Sequence, residues 1–169
     1  MKHRTKKFRG TLKVYKTEND IPQELRLKLN VLANQGLADA VDLQMQIKQA
    51  HWNVKGPSFI ALHKLFDEIV DAAEEYMDLI AERVVQLGGT AEGTIQNAAK
   101  RSSLKEYPVS SSELDHVETL SSALASYGKS VRHAIDQSDE LGDRDTADIF
   151  TEISRGADKY LWFVEAHLG

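Results

Sequence analysis

Between Leu25 and Ala50 the residues Leu25, Leu29, Leu32, Gly36, Ala40, Leu43, Ile47 and Ala50 recur at steps of three or four. A 3.6-residue period puts all of them on one stripe, so this segment has to be a long helix with one face against a partner; a strand would need a period of two. Pro22 suits the first turn and Gly56-Pro57 stops the helix. Three further segments repeat the pattern. Leu62, Phe66, Ile69, Ala73, Tyr76, Ile80, Val84 and Leu87 predict a second helix ending at Gly88-Gly89. Leu114, Val117, Leu120, Leu124, Tyr127, Val131 and Ile135 predict a third, opened by a capping box at Ser110-x-x-Glu113 and broken at Gly142. Phe150, Ile153, Ala157, Leu161, Val164 and Leu168 predict a fourth. Residues 88–109, rich in Gly, Ser and polar side chains, lack the period and leave room for one short helix. The expectation is an all-α four-helix bundle with a long crossover connection between helices two and three.

A chain of 169 residues with 41% hydrophobic residues can bury one substantial core. It has no cysteine, so disulfides, thiolate metal sites and Cys nucleophiles are excluded and any metal must be held by His, Asp and Glu. No run of about 18 apolar residues or secretory h-region is present, which points to a cytoplasmic protein without a membrane partner. The net charge of -5 conceals an asymmetry. Residues 1–16 hold Lys2, Arg4, Lys6, Lys7, Arg9, Lys13 and Lys16 with no acid, leaving 14 basic against 26 acidic residues beyond them, a body of -12 under an arm of +7. We expect residues 1–20 to form a basic flexible tail and 21–169 the bundle. An acidic body repels DNA, so a polyanion partner would be met by the tail.

The second helix carries a polar row as well: His63, Asp67, Asp71, Glu74, Asp78 and Glu82, spaced to share one face. A row of acids on an amphipathic helix is ordinarily a solvated surface. His63 and Asp78 are about 22 Å apart along a helix axis, too far to share a metal within one chain. If two copies of the helix pack antiparallel about a twofold axis, facing residues have a constant index sum. His63 with Glu82 and Asp67 with Asp78 have the same sum, 145, so one register brings His and Asp from one copy opposite Asp and Glu from the other, twice. Ala72 and Ala73 at its centre would permit close approach. His51 can fold back near His63 across the Gly-Pro break. Two imidazoles and three carboxylates suit Fe(II), Mn(II) or Zn(II), and Lys48 is a nearby base to balance the acids.

The stretch KQAHWNVKGPSFIALHKLFDEIVDAAEEYMDLIAERVVQLGG, with "LKEYP" and "DTADIFTEISRGADKYLWFVEAHLG" further on, resembles the Dps family of miniferritins, over about residues 25–169. The H-W-N segment, the H-x-x-x-D step and the D-x-x-x-E-R step carry the likeness together. The resemblance implies a ferritin-like bundle assembled as a hollow dodecameric shell, in a bacterium and associated with its nucleoid. It implies ferroxidase sites of two irons at the twofold interface, with His51, His63 and Asp67 from one subunit and Asp78 and Glu82 from its mate. In that scheme Glu82 is the strongest and potentially bridging ligand, Asp67 or Asp78 serves the weaker iron or supports it, and Trp52 takes up an electron or packs at the interface. The resemblance further implies hydrogen peroxide as the preferred oxidant of Fe(II), oxygen as a slower one, and storage of ferric mineral in the cavity. Zn or Mn could stand in for iron.

Asp139, Asp143, Asp145 and Asp148 fall where the family lines a threefold iron-entry pore, a looser match because Arg144 interrupts them; Asp139, Asp143 and Asp148 are carried forward as pore candidates. Glu113-x-x-His116 has the ligand spacing of other di-iron bundles, but one copy occurs where a pair is needed, so we read it as chance. His133 and His167 lack acidic partners and read as surface or packing residues. Two other readings remain: a DNA-binding architectural shell with an idle metal site, and a helical oligomerisation module without chemistry.

Overall fold

The computed structural model describes residues 14–169. Among the described residues there are five helices and no strand: α1 (Gln23–Asn53), α2 (Phe59–Gln86), α3 (Ile95–Arg101), α4 (Glu113–Glu140) and α5 (Arg144–Glu165). The four long ones are those the apolar periods demand, and α3 is the short helix in the crossover. α1 packs along α2 and α4 along α5, and the pairs close on each other through α1 with α4 and α2 with α5. The core lies between them: Leu29, Leu43 and Ile47 from α1, Leu62, Phe66 and Ile80 from α2, Leu120, Leu124 and Tyr127 from α4, and Phe150 and Ile153 from α5 are all buried. Gly36 lets α1 come close to α5, since a Cβ there would lie 3.0 Å from the Phe150 ring. No described helix is long and apolar enough to cross a membrane.

Two tight reversals set the ends of the second and fourth helices. Gly88, at φ 77°, donates its N–H to the Val85 carbonyl (2.8 Å), and Gly89 donates to Val84 (2.8 Å), a Schellman closure that needs the left-handed conformation glycine adopts without strain. Gly142, at φ 78°, repeats it with Gly142 N–H to Asp139 (2.9 Å) and Asp143 N–H to Ser138 (3.0 Å). Asp143 then caps α5, accepting the Thr146 N–H at 3.2 Å, so a single residue ends one helix and starts the next.

Three local expectations change. Pro22 is the residue before α1, not part of its first turn. The cap of α4 is Ser112, which accepts from the Asp115 N–H, while Ser110 donates to the Asp115 carboxylate (2.7 Å) and Glu113 reaches away to α2; the Ser110–Glu113 capping box does not form. Ala73 is buried in its own bundle, because neighbouring residues on a helix point about 100° apart, and only Ala72 is left partly exposed.

Of the expected tail, residues 14–20 are described. Tyr15 donates its N–H to the Gly88 carbonyl (2.6 Å), and Asn19 accepts the Ile21 N–H (2.9 Å), so this stretch runs against the end of α2. Lys16 is solvated, 3.8 Å from an equally exposed Glu18. Lys2, Arg4, Lys6, Lys7, Arg9 and Lys13 lie outside the described residues.

Candidate metal centre

His51 occupies the last turn of α1, and His63 the second turn of α2. The corner between them brings their rings into a stack, with centroids 3.8 Å apart and planes 21° from parallel. Each ring is tied to the other residue's backbone: His51 Nδ1 lies 2.8 Å from the His63 carbonyl oxygen and His63 Nδ1 lies 3.0 Å from that of His51. A carbonyl oxygen only accepts, so both Nδ1 atoms carry hydrogen. A neutral imidazole with its hydrogen on Nδ1 keeps a lone pair on Nε2, the form a metal ion requires.

Asp67, one turn after His63, lies 3.5 Å from His51 Nδ1 and accepts a 2.7 Å charge-assisted hydrogen bond from Lys48 Nζ. The Lys48 bond, foremost, holds the Asp67 carboxyl below its ordinary value; partial desolvation opposes this, and the positive potentials of His51, Lys48 and His63 add to the lowering. Asp67 is thus ionised and held beside the imidazoles. Trp52, next to His51, is largely exposed.

Asp78 and Glu82 are exposed on the same helix, about three and four turns beyond Asp67. They do not meet the histidines within a chain: among the described residues no three His, Asp or Glu side chains of one subunit converge as a metal site. The subunit instead presents an imidazole-rich half-site and a carboxylate half-site at opposite ends of one helix face. Two residues overlooked in the sequence mark that face. Ile60 and Val85 are large apolar side chains left 59% and 60% exposed, and they too have the index sum of 145. The register that would pair His63 with Glu82 and Asp67 with Asp78 would also bury Ile60 against Val85 at both ends, and their shared sum is the signal available in the sequence. Asp71 and Glu74, both exposed, lie at its centre in place of the expected alanines.

The pore candidates separate. Asp139 and Asp148 are exposed, as is Asp145. Asp143 is only 2% exposed and accepts from Arg83 Nη2 at 2.7 Å and from the Thr146 hydroxyl. Burial pushes its carboxyl up, but the hydrogen bonds from Thr146 and Arg83 and the Arg83 charge outweigh this and hold it below the ordinary range. A carboxylate spent on a cap and a buried ion pair does not face a pore, so that expectation is corrected. Glu113 and His116 are drawn instead to the corner between α1 and α2. His133 is exposed, and His167 donates from Nδ1 to the Phe163 carbonyl (2.9 Å).

Residues 31–169 match the family profile of the ferritin-like domain. The chain is 46% identical over 158 residues to a DNA protection during starvation protein of Agrobacterium fabrum, covering 93% of this chain and 98% of that protein. Its backbone is similar to DpsA14 from Streptomyces coelicolor, with a TM-score of 0.88 at 30% identity over 93% of this chain and 94% of the other. It is also similar to Dps from Microbacterium arborescens in its high iron form, with a TM-score of 0.81 at 31% identity over 92% and 99%. The four-helix scaffold, the crossover helix and these similarities over nearly the whole chain agree: the chain belongs to the Dps family of ferritin-like proteins.

Proposed function

We propose that this protein is a ferroxidase and iron store that also binds DNA. The observation that carries the reading is the crossed pair of His51 and His63, which offers two Nε2 lone pairs beside an ionised Asp67 on a helix face whose other half supplies Asp78 and Glu82. Two copies joined in the antiparallel register complete two centres of two imidazoles and three carboxylates each. Fe(II) is the substrate. The imidazoles favour Fe(II), and the carboxylate oxygens stabilise the ferric product. Two Fe(II) ions and one hydrogen peroxide, with two protons, yield two Fe(III) and two water molecules; the paired electrons leave no hydroxyl radical. The same donors accept Zn(II) or Mn(II) as surrogates. Glu82 serves as the strongest ligand, and Trp52, beside His51, takes part in electron transfer.

Six such dimers form a dodecameric shell whose cavity takes the ferric mineral, a reading supported by the high iron form of the Microbacterium relative. Asp139 and Asp148 line the iron entry. The basic residues Lys2, Arg4, Lys6, Lys7, Arg9, Lys13 and Lys16 bind DNA phosphates without reading sequence, twelve weak arms acting together on the nucleoid in the cytoplasm. The name of the Agrobacterium relative supports this reading.

The test is anaerobic loading of the assembled protein with Fe(II), then stoichiometric peroxide, with ferric absorbance and hydroxyl radical recorded together. Wild type should oxidise fast with little radical, and His51→Ala/His63→Ala should lose this while keeping its assembly. Equal slow oxidation in both would reduce the protein to an architectural DNA-binding shell.

A further inference from the structure

Helix α2 starts without a cap of its own. Ser58 makes no side-chain hydrogen bond to the first turn, and that turn contains no acid. The free N–H groups and the positive end of the helix dipole are left for another element to satisfy. That element is α4. Glu113 places Oε2 3.0 Å from the Ser58 nitrogen, across 55 residues of sequence, and brings the negative charge that the first turn of α2 lacks.

The same corner is held at a further point. Lys55 donates its N–H to the Ser111 carbonyl at 3.2 Å, forming an isolated parallel bridge with Ser112. His116, one turn beyond Glu113 on the same side of α4, is 1% exposed, with its Nδ1 hydrogen-bonded to the Tyr107 hydroxyl at 2.7 Å. The fit is close at Gly56, where a Cβ would run into the Glu113 carboxylate. Residues 54–58 are all that separates α1 from α2, and the crossed bonds between His51 and His63 require each carbonyl to sit beside the other ring. A shift of this corner would open both bonds at once and free the imidazoles to turn.

We infer that Glu113 is a positioning residue for the metal-binding histidines: by holding the Ser58 N–H over Gly56 it keeps the corner that aims both Nε2 atoms at the interface. The inference rests on the ferroxidase reading, and it assigns a role to a residue that touches neither iron nor oxidant. Supporting groups around metal ligands are worth about 10- to 100-fold in metal affinity, which sets the expected effect.

The test uses the full-length assembled protein and Co(II), followed by its d–d absorption, with thermal unfolding measured alongside. Glu113→Ala should weaken Co(II) binding about tenfold and alter the band shape. Glu113→Gln, which retains an oxygen to accept the Ser58 N–H, should restore both. Gly56→Ala should also weaken binding, because the new Cβ would push the Glu113 side chain out of its place. Wild-type Co(II) affinity in Glu113→Ala, or failure of Gln to restore it, would overturn the inference. His51→Ala/His63→Ala separates the two readings. If it loses Co(II) while Glu113→Ala does not, only the positioning role falls; if it binds Co(II) like wild type, the interfacial site falls and the positioning role with it.

Discussion

Asp143 shows how much one side chain can be asked to do. It closes α4, caps α5 and neutralises Arg83, itself buried and donating from Nε to the Thr146 hydroxyl at 2.9 Å. Removing one member of a buried ion pair strands the other, so Asp143→Ala should cost about 3–5 kcal/mol, read by denaturant unfolding. The sign of its pH dependence follows from the lowered carboxyl. Its stabilisation is complete above the unfolded-state value near 4 and is lost as pH falls through the lower folded value. Asp143→Asn should therefore flatten the acid limb of the stability profile, and an unchanged limb would contradict this assignment. Nothing in the run DELGDRDTAD distinguishes Asp143 from its acidic neighbours. Arg83 lies sixty residues away, and only the packing of α2 against α5 selects the partner.

At the scale of elements, helix ends were as legible as helix faces wherever glycine marks them. Gly88 and Gly142 share nearly the same left-handed backbone yet differ in surroundings. A Cβ at Gly142 would meet open space, whereas one at Gly88 would lie 2.7 Å from the Tyr15 carbonyl oxygen and 3.0 Å from Arg26. Gly142→Ala should cost about 1–2 kcal/mol from conformation alone. Gly88→Ala should cost more and should also release residues 14–16, seen as faster cleavage there by a protease; equal costs would show that the Tyr15 contact contributes nothing. The cap of α4 was misplaced in the sequence because Ser110, Ser111 and Ser112 are all able to cap. The choice falls to Ser112, whose hydroxyl accepts the Asp115 N–H, while the Ser110 hydroxyl is turned to the Asp115 carboxylate.

For the whole molecule, the proposed register makes assembly a condition of the chemistry, and the exposed pair Ile60 and Val85 tests it. Ile60→Asp should weaken the twofold dimer at least tenfold in sedimentation and lose Fe(II) oxidation in parallel, and Ile60→Asp/Val85→Lys should recover part of both. Assembly unchanged in Ile60→Asp would remove the register. Deleting residues 1–13 takes away six of the seven basic residues of the arm; DNA affinity should fall uniformly across sequences with a shallower salt dependence, while iron oxidation is retained. The sequence by itself determined the helices, because a 3.6-residue period follows from burial of one face, and it determined that His63, Asp67, Asp78 and Glu82 share a face, because that is counting along a helix. It could not determine the crossed bonds that present the Nε2 atoms of His51 and His63, the burial of Asp143 or the reach of Glu113 to Ser58. Each of these depends on a partner brought close by chain reversal, and which atoms then fall within hydrogen-bonding distance was decided by the packing of the helices.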